Sequence, residues 1–257
     1  MIPKIIHYCW FGRGEMPKLM KKCIKSWKKF CPGWKVVLWN EDTFDVNSNI
    51  WTKQAYEARK FAFVTDYVRL KALYEQGGVY MDADVELVQP IDRFLEHEAF
   101  SGFENPQSVP TGIIAAQAGH PVIKGWLDWY VDRPYLIDGK PNMEPNVSFM
   151  TRDLLNRGLV LNDTYQVIGG FAMYPQTYFC PLHTDTVHHC RTEKTVAIHH
   201  FTSTWRTPKG IKDMKKAKFH TTWLYQTWEQ IKVLPQKTFR KIFGDNAMEK
   251  LKRIFGK

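Results

Sequence analysis

Apolar and polar positions along the chain fall into blocks of strand-like and helix-like period. Lys4 to Trp10 is apolar and β-rich, like a buried strand. Pro17 to Phe30 reads as a basic amphipathic helix with Leu19, Cys23, Ile24 and Trp27 on one face. Trp34 to Trp39 reads as a second strand, so the opening is a strand–helix–strand unit that argues for a parallel sheet. Trp51 to Gln76 is predicted helical in two pieces, with Phe63, Tyr67, Leu70 and Tyr74 at helical spacing and Gly77 as its stop. An apolar run ending in Val79-Tyr80-Met81-Asp82-Ala83-Asp84-Val85 follows. Short strands are expected near Ala99–Phe103 and Gly112–Ala116, helices near Val122–Val131 and Val147–Asn156, and a late strand at Thr195–Phe201.

Composition bounds the picture. A chain of 257 residues with 44% apolar content suits one large domain or a domain with an appendage. No run of about 18 apolar residues predicts a membrane span, and the start does not read as a signal peptide. Cys9, Cys23, Cys31, Cys180 and Cys190 are odd in number and lack a C-x-x-C pair, which favours free thiols in a reducing compartment. The net charge is +10, and residues 206–257 hold fourteen basic against four acidic residues, so the whole excess lies there. The expected organisation is a neutral body, 1–205, and a basic helical extension, 206–257.

Candidate chemistry starts at Asp82 and Asp84. Residues i and i+2 of a strand point to one side, so the two carboxylates converge as the chain leaves the sheet. Like charges that close call for a cation, and hard oxygen ligands suit Mg²⁺ or Mn²⁺, which can clamp a diphosphate. Asp66 and Arg69 share a helix face among apolar neighbours, so a partly buried pair is expected, with Arg69 suited to phosphate or carboxylate. Trp10, at the end of the first strand, could stack on a nucleobase or pack in the core. Gly12 and Gly14 make no dinucleotide fingerprint. Of the neighbours His199 and His200, only one can face a given site, as a third metal ligand.

These segments in order, Ile2-Pro3-Lys4-Ile5-Ile6-His7-Tyr8-Cys9-Trp10-Phe11-Gly12, Ala62–Arg69, Gly77–Asp84 and Ile198–Phe201 with Trp205, resemble glycosyltransferase family 32, the family of Och1-like mannosyltransferases and bacterial capsule or lipooligosaccharide transferases. A more distant similarity is to the glucosyltransferase domains of clostridial toxins. The resemblance covers about residues 1–205. It implies an α/β fold of GT-A type: a Rossmann-like mixed sheet flanked by helices. It further implies a retaining hexosyltransferase that uses a nucleotide sugar, UDP-linked by preference, and Mn²⁺ or Mg²⁺. By position, Tyr8, Trp10, Asp66, Arg69, Asp82, Ser203 and Trp205 look like donor-binding residues. Asp66, Arg69 and Asp82 look catalytic, and Asp82, Asp84 and His200 look like the metal set. His200 is preferred over His199 for its spacing to Trp205, and Ser203 departs from the common Gly. The implied acceptor is a glycan or a lipid-linked oligosaccharide. The basic, aromatic tail suits either an anionic membrane surface or packing of its apolar residues on the body with the lysines solvated; the expected location is cytoplasmic, and under the first reading peripheral on the inner face of the membrane. Two competing readings are a haloacid-dehalogenase-type phosphohydrolase, whose nucleophilic Asp usually lies nearer the first strand, and a basic nucleic-acid binder, which the neutral body opposes.

Overall fold

A computed structural model describes residues 1–105, 108–109, 112–142, 144, 146–181 and 191–202. The strand–helix–strand opening is present as β1 (Ile5–Cys9), α1 (Lys18–Phe30) and β2 (Lys35–Trp39). β1 and β2 are parallel, in register from Ile5↔Lys35 to Cys9↔Trp39. The buried face of α1 is Met20, Cys23 and Trp27. Leu19 and Ile24 flank it and are only half-buried, so the predicted stripe is rotated by a fraction of a turn.

The long helical segment divides as expected into α2 (Ile50–Glu57) and α3 (Phe61–Gln76). Asn49 starts α2 by accepting a hydrogen bond from the Trp51 amide at 2.8 Å. Between the helices Arg59 adopts a positive φ of 55°, which ends the first one. Gly77 (φ +64°) ends α3, and its amide donates to the Leu73 carbonyl.

The apolar run after Gly77 is two strands rather than one. β3 (Gly78–Met81) stops at a turn in which the Val85 amide donates to the Asp82 carbonyl at 2.9 Å, and β4 (Val85–Leu87) leaves in another direction. Next come β5 (Ala99–Gly102), β6 (Ile113–Ala116), α4 (Pro121–Asp128), and a small hairpin of β7 (Leu136–Ile137) and β8 (Lys140–Pro141). α5 (Asn146–Asn156), β9 (Gln166–Ile168), β10 (Phe171–Tyr174), α6 (Gln176–Phe179) and β11 (Ala197–His199) complete the described chain. The β9–β10 pair turns on Gly169-Gly170, both at positive φ, a dipeptide signal that the periodicity reading passed over.

The main sheet has the order β2-β1-β3-β6-β5-β10-β9, with β6 and β9 antiparallel to the rest. The expected mixed α/β sheet flanked by helices is therefore present. β4 and β11 form a separate antiparallel pair. Side chains alternate across the main sheet: Tyr80 enters the core under α3, while Val79 and Met81 enter the core under α1. Because β1, β3, β5 and β10 run in one direction, their carboxyl ends share one edge, where open α/β sheets bind ligands.

Trp27 joins α1 to this edge. It is fully buried, and its Nε1–H donates to the Val85 carbonyl at 2.7 Å. Trp27→Phe is expected to cost about 1–3 kcal/mol, because the Val85 carbonyl loses its partner inside the core. Urea unfolding measures this, and a loss below about 0.5 kcal/mol would show that the carbonyl is satisfied another way. The division at residue 206, the basic tail and Cys190 lie outside the described residues. Cys9, Cys23, Cys31 and Cys180 are buried free thiols.

Candidate active site

Two clusters meet at the end of β3. The first is built by α3. Arg69 Nη2 lies 3.0 Å from Asp66 Oδ1, the i, i+3 pair the helix predicts, and 3.5 Å from Asp82 Oδ1. Its guanidinium sits 4.9 Å above the Tyr80 ring, and the Tyr80 hydroxyl donates to Asp82 Oδ1 at 2.7 Å. Asp66 and Arg69 are 9% and 5% exposed, so the pair is buried rather than solvated. Burial works against the Arg69 cation, but Tyr80, Asp82 and Asp66 outweigh it and hold the pKa above its ordinary value. Burial, opposed by Arg69 and reinforced by Asp82, pushes the Asp66 carboxyl up to about 6. Asn146, at the start of α5, donates from Nδ2 to Asp66 Oδ1 at 2.8 Å. Nothing in its local sequence marks Asn146, since its partner lies 80 residues away.

The second cluster is built by the turn after β3 and by the end of β11. Asp84 Oδ2 accepts from the Thr202 amide at 2.8 Å and from the Thr202 hydroxyl at 2.7 Å. Asp84 Oδ1 lies 3.3 Å from His199 Nε2, which is 3.9 Å from Asp82 Oδ2. Ligand atoms of Asp82, Asp84 and His199 all lie within 4.8 Å of one another. Burial opposes ionisation of Asp84, yet His199 and the two Thr202 donors outweigh it and hold the carboxyl well below the usual range. The two aspartates do converge, but through the turn at residues 83–84, not through the alternation of a continuous strand.

The structure brings His199 to the carboxylates instead of His200. The β4–β11 register pairs His199 with Val85, directly after Asp84, and the next residue along a strand faces the other way. His200 Nε2 instead lies 2.9 Å from Glu86 Oε2, whose other oxygen is 2.9 Å from Lys22 Nζ. Gly112 makes room for the imidazole. A Cβ there would stand 2.7 Å from His199 Nδ1, an atom that is buried and has no hydrogen-bond partner among the described residues. The Phe201 ring stacks on His199 at 4.0 Å. Glu104, just past β5, is a further carboxyl of this edge; burial raises its pKa, opposed by His199 and assisted by Asp82.

Trp10 is half-buried beside the same edge, and its Nε1–H donates to the Gly14 carbonyl at 2.7 Å. Tyr8 is half-buried and packs edge-on against Trp27 at 5.4 Å, on the α1 side of the sheet. Ser203 and Trp205 lie outside the described residues. Two carboxylates and an imidazole form a hard-oxygen and nitrogen donor set that fits a small divalent cation.

Residues 17–101 match the family model described as "Glycosyltransferase sugar-binding region containing DXD motif". The chain is 29% identical over 126 residues to inositol phosphoceramide mannosyltransferase 3 of Schizosaccharomyces pombe, covering 48% of this chain and 35% of that protein. It is 26% identical over 148 residues to mannosyl phosphorylinositol ceramide synthase CSH1 of Saccharomyces cerevisiae, covering 53% of this chain and 39% of that protein. The chain thus spans well under half the length of these curated relatives. Among solved structures, galactosyltransferase LgtC in complex with donor and acceptor sugar analogs aligns over 88% of this chain and 99% of its own, at 12% identity and a TM-score of 0.44. PaToxG glycosyltransferase aligns over 49% and 59%, at 19% identity and a TM-score of 0.42. The family match holds α1, β2, α2, α3, β3 and β4, and with them Asp66, Arg69, Asp82 and Asp84, whereas Trp10 and His199 lie outside it. The one D-x-D within that match is Asp82-Ala83-Asp84, so over residues 17–101 this chain is similar to the glycosyltransferase sugar-binding region that contains a DXD motif.

Proposed function

We propose that the chain is a metal-dependent hexosyltransferase of GT-A architecture. It moves a hexose from a nucleotide sugar, UDP-linked by preference, to a glycan or lipid-linked acceptor with retention of configuration. The observation that carries this reading is the meeting of Asp82, Asp84 and His199 within 4.8 Å, beside the buried Asp66–Arg69 pair. Asp82, Asp84 and His199 would hold Mn²⁺ or Mg²⁺, which supplies positive charge to the diphosphate as it leaves. Arg69 is fixed between Asp66, Asp82 and the Tyr80 ring, so its charge is preorganised where negative charge develops. Asp66, steadied by Asn146, offers a buried carboxyl for donor hydroxyls. Trp10 presents its indole for the base. A dehalogenase-type nucleophile fits Asp82 poorly, because Tyr80 and Arg69 already engage one of its oxygens.

A screen for release of nucleoside diphosphate from UDP-glucose, UDP-galactose, UDP-N-acetylhexosamines and GDP-mannose, with Mn²⁺ and then with chelator, tests the reading. GDP-mannose belongs in the screen because the two curated relatives described above are named as a mannosyltransferase and as a mannosyl phosphorylinositol ceramide synthase. Turnover of one donor that chelator abolishes is the expected result; folded protein that releases no nucleotide from any donor would overturn it. Gly112→Ala is expected to weaken Mn²⁺ binding about ten-fold or more, since the added methyl displaces His199. Calorimetric titration of Mn²⁺ measures this, and unchanged affinity would remove His199 from the ligand set. No helix among the described residues is long and apolar enough to cross a membrane. Attachment of this protein to the cytoplasmic membrane face through residues 206–257 is part of the same proposal. Deleting residues 206–257 and pelleting with anionic liposomes tests it, and unchanged pelleting would refute it.

A further inference from the structure

A second concave surface lies where the turn before β5 meets α6 and the segment before β11. It is an open cleft of about 430 Å³ lined by Arg93, Phe94, Tyr174, Tyr178, Glu193 and Lys194. It shares no residue with the Asp66–Arg69 pair or with the Asp82, Asp84 and His199 cluster.

Three rings make its wall. Phe94 is packed edge-on against Tyr174 at 5.0 Å and Tyr178 at 6.3 Å, and the two tyrosines are 5.0 Å apart. Behind them Phe94 rests on Phe100 and Phe179, both buried, so the wall is anchored in the core. The Tyr174 hydroxyl and His97 Nε2, 2.7 Å apart, fix that ring's far end. The rim is charged and also held in place. Arg93 lies 5.0 Å over the Phe94 ring, and neither Arg93 nor Lys194 forms an ion pair with an acidic group among the described residues. The turn that presents Glu193 and Lys194 is fixed by Gln89 Nε2 donating to the Glu193 carbonyl at 2.6 Å. The Lys194 amide also donates to the Thr192 hydroxyl at 3.2 Å.

Surface cations are ordinarily just solvated. Here two that have no ion-pair partner among the described residues line a cleft with an aromatic wall, Arg93 over the Phe94 ring, in a volume that suits a small ligand. Aromatic rings with polar tips offer a flat apolar face and a hydrogen-bonding edge together. A guanidinium adds planar, two-pronged recognition of a carboxylate or phosphate. We infer that this cleft is a binding site for an anionic saccharide, a sugar ring that carries a phosphate or a carboxylate. The ring's C–H face lies on Tyr174 and Tyr178, and its anionic group meets Arg93 and Lys194. Glu193, on the same rim, accepts hydroxyls. In a transferase such a cleft would hold an acidic part of the acceptor away from the reacting centre, but binding here depends on neither metal nor donor.

Saturation-transfer NMR and calorimetry on the full chain, with chelator present and no nucleotide, test this. The probes are glucose 6-phosphate, galacturonate, neutral glucose and inorganic phosphate. Glucose 6-phosphate and galacturonate are expected to bind at least about ten-fold more tightly than glucose or phosphate alone. Arg93→Gln and Tyr178→Ala should each weaken the anionic sugars about ten-fold, while UDP binding with Mn²⁺ stays as in the parent chain and so reports a folded protein. Phosphate binding as well as the sugar phosphate would mean simple charge attraction and overturn the inference. So would undiminished binding in both variants, or no binding of either anionic sugar. If UDP·Mn²⁺ binding fails while the anionic sugars bind, the donor reading falls and the cleft stands.

Discussion

Asp84→Ala is expected to abolish nearly all metal-stimulated transfer while the protein stays folded. Asp84 is 6% exposed and its two oxygens are divided between tasks. Oδ1 faces His199, and Oδ2 takes both Thr202 donors. Under the proposed function, removing the carboxylate deletes one of three candidate ligands and the negative charge that would hold a divalent ion. A loss of about 10²–10³-fold in kcat/KM follows from losing the stabilisation of the leaving diphosphate. The structural cost is smaller, about 1–3 kcal/mol, because the Thr202 amide and hydroxyl lose their acceptor. Asp84→Asn separates the two effects. It retains an acceptor for Thr202 and should melt close to the parent chain, yet it lacks the charge and should be nearly as inactive. Initial rates at saturating Mn²⁺, with thermal melts of both variants, make the measurement. Parent-like turnover in either variant would remove Asp84 from the metal.

Arg69→Met is expected to destabilise the protein by about 3–5 kcal/mol, the cost of leaving a buried carboxylate without its partner. Arg69 sits between Asp66 and Asp82, and Asp66 has little water to turn to. The loss should depend on pH. Asp66 already titrates near 6, above its ordinary 3.8, chiefly from burial and in spite of Arg69. Without Arg69 its pKa rises further. A carboxyl with a raised folded pKa lowers stability as pH climbs from its unfolded value through its folded one. The deficit of Arg69→Met should therefore be smaller at pH 5 than at pH 8. Adding Asp66→Asn should recover part of it, because a neutral amide needs no counter-charge. Urea unfolding of the four proteins of this cycle at both pH values gives the answer. A deficit below about 1 kcal/mol with no recovery in the double variant would show that water, not Arg69, satisfies Asp66.

Much of the fold could be read along the chain, because it rests on short-range pattern. The βαβ opening, the division of the long helical segment, the stop at Gly77 and the strands around residues 99–102 and 113–116 all follow from periodicity and one glycine. The Asp66–Arg69 pair was legible for the same reason, since i, i+3 spacing on a helix places two side chains together wherever the helix lies. The turn that splits β3 from β4 was not legible. Val79 to Val85 is apolar enough to pass for one strand, and only the pairing of β4 with β11 pulls the second half away.

The third member of the carboxylate cluster lay beyond local reading. His199 and His200 are neighbours of one type on one strand, and the choice between them is a register of one residue set by β4. Asn146 reaches Asp66 from 80 residues away, and Gly112 matters because it leaves space for an imidazole 87 positions later. By itself the sequence determined which residue types could act, and those within one turn or one strand of each other. The tertiary structure decided which of them meet across the sheet edge, because contacts between distant segments depend on strand pairing and on the room left between side chains, neither of which a local pattern carries.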